Sequence, residues 1–384
     1  MDAHGPLATR FPLIARPRPA CLPLPDRVQE LAKLADQAQQ QQIQGLASTV
    51  YNQAALLASD LALPDLAREL CLQHVDAYLD AYPLPAMSAI RCLEPVVNLA
   101  RLYIRAGHPD DGLRHLLDLY EAVSEDKTVV FDSVTVPVGL VRTAEDRHEV
   151  RAWLWRVLLA DGTRTLTGAG HWREALTHIE KHRGVGTRMF DGRQVAVIAA
   201  LTTGNTQQAA DLLAATAPGD PWEHVVTTSL TALCRRATGQ LHDQELTDLV
   251  NTYLHHKAEP GATVFDLRLG LTVLDTIGTE HPAARRLVAE LAQRTETARD
   301  GYAARELLAY PPTAEHLTKQ QAADYRDLVH ACALGAGTLP TRLDRSLSAS
   351  LCTSEAVIRS SLSDRPEEPT EAAGKAPSTS ARTT

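Results

Sequence analysis

Two histidines four residues apart, in His178-Ile179-Glu180-Lys181-His182, share one face of a helical run and bring two imidazoles together, as a transition-metal site requires. The order is not His-Glu-x-x-His, and spacing fixes no third ligand, so an ordinary surface pair is the plainer reading. Immediately afterwards Gly184-Val185-Gly186-Thr187-Arg188 has the glycines of a phosphate loop, and Arg183, Arg188 and Arg193 add cations that could meet an anion. A phosphate loop follows a strand and ends in Gly-Lys-Ser/Thr. This stretch follows a helical run and lacks that ending, so it reads as a flexible turn between helices. Asp110-Asp111 leads into Gly112-Leu113-Arg114 rather than further acids, and suits a helix start where carboxylates meet the positive dipole end. No Ser lies in a Gly-x-Ser-x-Gly elbow. These residues form no catalytic constellation, and neither a metal site nor a cofactor is expected.

The totals remove further classes. A formal net charge of −9 argues against sequence-independent nucleic-acid binding, which depends on Lys and Arg neutralising phosphates. The six cysteines (Cys21, Cys71, Cys92, Cys234, Cys332, Cys352) form no Cys-x-x-Cys pair and read as small buried hydrophobes. Arg10, Pro12, Arg16 and Pro17 interrupt the only apolar stretch near the N-terminus, so no secretory core is written there. No run approaches the roughly 20 apolar residues of a membrane span. The expectation is a cytoplasmic protein that keeps its thiols reduced and has no membrane contact. Only six of the 38 basic residues are Lys, and Ala is abundant, which points by codon usage to a GC-rich bacterium.

The elements that would position any site are helical. Residues 1–25 form an extended arm, because Pro6, Pro12, Pro17, Pro19, Pro23 and Pro25 each break a helix and restrict the residue before them. From Asp26 apolar residues recur at three and four positions, as in Ala47, Tyr51, Ala54, Ala55 and Ala58. Gly170 and Gly204 lie 34 residues apart, and so do Ala175 and Ala209. In each unit the Gly ends one helix and the Ala falls early in the next, which is the mark of stacked helix hairpins. Gly107 with Pro109 makes another such break, and Ala62 with Pro64 a fourth in which Ala stands where Gly is expected. Thr128 to Val138 interrupts the register with β-branched residues around Asp132-Ser133 and predicts a short hairpin. Thr143 with Asp146 then reads as a capping box.

Leu99-Ala100-x-x-Tyr103, then Gly107 and Gly112-Leu113, resembles the tetratricopeptide repeat, with Ala175 and Ala209 in the small-residue packing position. Leu116, Ile179 and Leu213 replace the usual Phe, and Pro221 alone stands in the closing-Pro register. The resemblance covers about residues 40–300. It implies an all-α fold, a right-handed superhelical array of helix hairpins (an α-solenoid) with a short β-like insertion at about 128–138. The divisions that follow are the arm, hairpins over 26–123, the insertion over 124–143, hairpins over 144–300, closing helices over 301–362 and a disordered tail over 363–384.

Repeats of this class line a concave groove with the first helices of successive units, and the groove receives peptides or partner helices. Opposite the Val96-Leu99-Tyr103 stripe lie Glu94, Asn98, Arg101 and Arg105. Asn52 and Gln53 match them in the preceding unit, Asp161 and Arg164 in the next, and Gln194 after that. This face is either plain solvated helix surface or a set of amides and guanidiniums suited to a ligand's backbone and carboxylate. The expected function is a non-catalytic, possibly regulatory scaffold for a protein or peptide partner. The alternative is an enzyme or accessory subunit of bacterial specialised metabolism with its site inside the superhelix, using His178, His182 and the Arg183–Arg193 loop.

Overall fold

Gly170 and Gly204 close their helices at φ +81° and +76°, the left-handed conformation that a residue without Cβ adopts without strain. Ala62 takes the same turn at φ +58° despite its Cβ. After each turn the next helix begins within a few residues. Pro64, Pro109 and Pro221 supply first-turn prolines whose missing N–H has no helical partner to lose.

The computed structural model describes residues 1–14 and 18–363. The described residues form an all-α, solenoid-like array. The helices are α1 Pro6–Thr9, α2 Leu24–Gln41, α3 Gln44–Asp60, α4 Pro64–Leu79, α5 Ala86–Arg105, α6 Pro109–Glu125 and α7 Ala144–Gly168. They continue as α8 Trp172–Lys181, α9 Asp191–Thr202, α10 Thr206–Ala214, α11 Pro221–Ala237, α12 Asp243–His255, α13 Thr263–Ile277 and α14 Ala284–Ala298. The last are α15 Gly301–Ala309, α16 Pro311–Ala314, α17 Lys319–Ala331 and α18 Thr341–Ser363. The β insertion is a two-stranded antiparallel ribbon, β1 Val129–Phe131 and β2 Val134–Val136. Thr143 caps α7 in a reciprocal box with Asp146. Pro95 lies inside α5. No helix is long and apolar enough to cross a membrane, among the described residues. Residues 364–384, most of the tail expected to be disordered, lie outside the described part.

Packing follows the small residues. Ala67, Ala175 and Ala209 are fully buried where neighbouring helices meet. At Gly112 an added Cβ would stand 2.7 Å from the Ala100 carbonyl oxygen, so α5 and α6 touch backbone to backbone.

The chain's two ends cross over to close the array. Helix α18 returns to α2, α3 and α4 and buries Leu347, Leu351, Ile358 and Leu362 in their core. Gly335 and Gly337 donate to the carbonyls of Asp60 and Leu61, both at 2.7 Å. The arm does the reverse, burying Ala8, Phe11 and Leu13 in the core built by α8–α15 and α17. The array therefore has no open end at the described termini. The helices expected to close the chain together belong to different cores, α15 to α17 to the second and α18 to the first.

Candidate functional site

Inside the array lies a cavity of about 750 Å³. Its walls come from α3 (Asn52, Gln53, Ser59), α5 (Glu94, Asn98, Arg101, Arg105), α7 (Trp153, Arg164), α13 (Phe265, Arg268) and the arm (Pro12, Ile14, Arg18, Pro19). Helices α3, α5 and α7 are the first helices of three successive hairpins. Their 3.6-residue period turns the apolar stripe toward the paired helix and leaves the amides and guanidiniums facing inward. The cavity brings together seven of the nine residues expected to line a groove, and Asp161 stands beside it.

These residues bond to one another before any ligand is considered. Asn52 Nδ2 donates to Glu94 Oε2 at 2.7 Å, and Asn98 Nδ2 donates to Asn52 Oδ1 at 2.9 Å. Arg101 Nη1 donates to Asn98 Oδ1 at 2.9 Å, and its Nε and Nη2 reach Asp161 Oδ2 at 3.0 and 2.8 Å. A polar ladder thus runs across α3, α5 and α7. Burial raises the Glu94 carboxyl above its usual range, and the bond from Asn52 works against that rise. Arg101 is accordingly a tie between helices rather than an uncommitted cation. Arg105 has one bond, to Ser59 Oγ at 2.7 Å.

Gln194 is a correction. It lies fully buried in α9 and donates to the Met189 carbonyl at 2.8 Å, away from the cavity. Its amide turns back onto the loop before its own helix, and the arm meets α9 near both ends, with the Met1 ammonium on the Leu201 carbonyl and Ile14 N–H on Asp191 Oδ1 at 2.6 Å.

The arm is not extended throughout, since Pro6–Thr9 form α1, but its described residues 11–14 and 18–21 lie outside helices and are held largely through their backbone. Arg164 Nη2 donates to the Ile14 carbonyl at 2.7 Å, and Arg18 N–H donates to the Gly261 carbonyl at 3.2 Å. Cys21 N–H donates to Asp300 Oδ1 at 3.1 Å, and Gly301 N–H returns a bond to the Cys21 carbonyl at 2.8 Å. Sequence reasoning missed Arg18, Phe265 and Arg268. A signal existed for Arg18 alone, as a cation in a proline-held extended segment, but nothing local placed that segment inside the array.

The histidine pair sits elsewhere. His178 and His182 have ring centroids 4.9 Å apart, and burial lowers both pKa values. His178 Nε2 lies 3.1 Å from the Leu158 carbonyl, in space left by the missing side chain of Gly162. Among the described residues no three His, Cys, Asp or Glu converge as metal ligands would. Two of the nearby arginines hold structure. Arg188 forks onto Glu223 and also reaches Asp220, while Arg193 donates to Gly186 O, Leu212 O and Thr216 Oγ. Arg183 borders a separate cavity of about 300 Å³ with Glu180 and Gln208.

No protein-family model, curated protein or solved structure matches the chain.

Proposed function

We propose that this chain is a tetratricopeptide-like interaction protein of the bacterial cytoplasm, a non-catalytic and regulatory scaffold whose inner cavity receives a short extended segment of a partner protein. One observation carries the reading. The inner surface already holds stretches of extended peptide, its own arm, whose main chain accepts from Arg164 and donates to Asp191, Gly261 and Asp300. Beside that peptide a space of about 750 Å³ stays open, lined by the same kinds of side chain. Pockets of this size take a few residues or a small ligand rather than a whole helix. No nucleic acid is expected as a partner, since the overall charge is negative.

Selection of random peptides on the full chain tests this. Peptides that bind the wild type should lose affinity when Arg105 and Asn98 are replaced by Leu in a protein that remains folded by circular dichroism. Loss of a well-used anchor corresponds to ~2 kcal/mol or more. Selected peptides that ignore the double variant would place the binding surface outside the cavity.

A further inference from the structure

We propose that Arg18 and Arg105 form an oxyanion subsite in this cavity, and that it takes a carboxylate of an acidic peptide segment. The proposal deepens the cavity reading and rests on it.

Three guanidiniums gather around one carboxylate at the seam where arm, α3 and α15 meet. Asp60 Oδ2 accepts from Arg27 Nη2 at 2.8 Å and also from the Tyr302 hydroxyl. Arg27 therefore neutralises it. The guanidinium of Arg18 stacks 3.6 Å above the Tyr302 ring, and Arg105 bonds only the neutral Ser59 hydroxyl. Among the described residues neither Arg18 nor Arg105 has an ion-pair partner, whereas Arg101 and Arg268, on the same walls, are paired with Asp161 and Glu306.

Two like charges with no ion pair of their own, sharing the single Asp60 carboxylate with Arg27, are thus held beside a partly enclosed space in a protein of net charge −9. Low-dielectric walls concentrate such a field and favour an incoming anion. Burial lowers the pKa of Arg105; Asp60 and Tyr302 oppose that fall, and Arg18 and Arg101 add to it. The net shift is downward, so the one carboxylate nearby does not fully offset the desolvation and the like charges. Stacking fixes one face of Arg18, and its backbone bond to Gly261 fixes its position, so its N–H edge is presented ready-made. A carboxylate and a phosphate share the oxyanion chemistry that this pair recognises. The cavity beside it has the amides of the ladder for a peptide backbone, which favours the carboxylate.

Isothermal titration of the full chain with tetraglutamate, tetraglutamine and inorganic phosphate separates the cases. Tetraglutamate is expected to bind saturably, tetraglutamine not to bind, and phosphate to compete only weakly. Arg18→Gln and Arg105→Gln should each weaken tetraglutamate by about tenfold, and Arg105→Lys by less. Equal binding of tetraglutamate by wild type and both Gln variants overturns the subsite, as does its failure to bind the wild type. Tetraglutamine binding as tightly as tetraglutamate shows that charge is not read. Phosphate binding as tightly as tetraglutamate shows a free-anion site and removes the acidic peptide. Selected peptides that need Asn98 but ignore both Gln substitutions would keep the cavity reading and remove the subsite alone.

Discussion

Asp266 and Asp60 sit in matching surroundings at two places in the array. Each accepts a hydrogen bond from a tyrosine hydroxyl, Tyr253 for one and Tyr302 for the other. Each is paired with an arginine, Arg294 or Arg27, at 3.0 and 2.8 Å. In each cluster an arginine also stacks on the tyrosine ring. Around Asp266 the stacking arginine is the pairing one: Arg294 lies 4.7 Å over Tyr253 and donates to the His256 carbonyl as well. Arg294 also reaches Glu290 Oε1 at 2.8 Å, so one guanidinium meets two carboxylates and the cluster has no cation left over. Around Asp60 the roles are divided, with Arg27 pairing and Arg18 stacking, while Arg105 adds a third cation beside them. The same parts make a closed structural clamp in one place and a charged opening in the other. What separates them is the surplus of guanidinium over carboxylate.

The largest effect is expected where the cluster is complete. Arg294→Ala leaves Asp266, whose side chain is 3% exposed, without its arginine. Removing one partner of a buried pair costs ~3–5 kcal/mol, because the remaining charge stays desolvated. Urea denaturation should show a large fall in the midpoint with little change in slope. Arg27→Ala makes the same cut at Asp60 and should cost less, about 2 kcal/mol, since Arg18 and Arg105 remain to screen the carboxylate. Equal losses in the two variants would break the comparison and show that the surplus charges do not reach Asp60.

Much of the scaffold was legible from residue spacing, and the closure was not. The interval from Gly170 to Gly204 marks helix ends because a left-handed turn selects Gly wherever a hairpin must close tightly. Ala175 and Ala209 show where helices touch, for only small side chains fit there. The β-branched run at 129–136 and the Thr143 cap are equally local signals. Three inner helices could be aligned from the same register, which is how Asn52, Asn98 and Arg105 were placed on one surface. Contacts between distant parts leave no periodic mark. Tyr302 and Asp60 are 242 positions apart, and neither residue's neighbours announce the other. The return of α18 to α2–α4 is of that kind, and so are the contacts of the arm with α9.

Burial without charge gives an intermediate effect. His74, in α4, stacks on Tyr51 and meets Tyr78 edge-on, with ring centroids 5.0 and 5.7 Å away. Burial pushes its pKa down to about 3. The folded form therefore holds His74 neutral while the unfolded chain takes up a proton near pH 6.5. The stability this protects is complete above pH 6.5 and is lost as pH falls from there toward 3. At pH 5.5 the loss from this group alone is ~1.4 kcal/mol. His74→Phe keeps the ring and removes the proton site, so the variant should lose less stability than the wild type between pH 7 and pH 5.5. Denaturation curves at the two pH values check this, and parallel losses would mean that His74 is not desolvated in the folded state.

The smallest effect is expected at Arg105, and its smallness is what sharpens the contrast with Asp266. Arg105 makes one hydrogen bond, to Ser59, and lies within reach of the Asp60 carboxylate as well as of two like charges, Arg18 and Arg101. Removing its charge loses the Ser59 bond and the attraction of Asp60 but relieves the repulsion of Arg18 and Arg101, and these oppose each other. Asp60 keeps both of its bonded partners, Arg27 and Tyr302. Arg105→Gln should therefore leave unfolding free energy within ~0.5 kcal/mol of the wild type, in either direction. A residue that contributes so little to the fold is free to be used for binding. A loss above 2 kcal/mol in the same denaturation assay would instead make Arg105 part of the clamp, equivalent to Arg294. The cluster at Asp60 would then be as closed as the one at Asp266, with no cation left over for a partner.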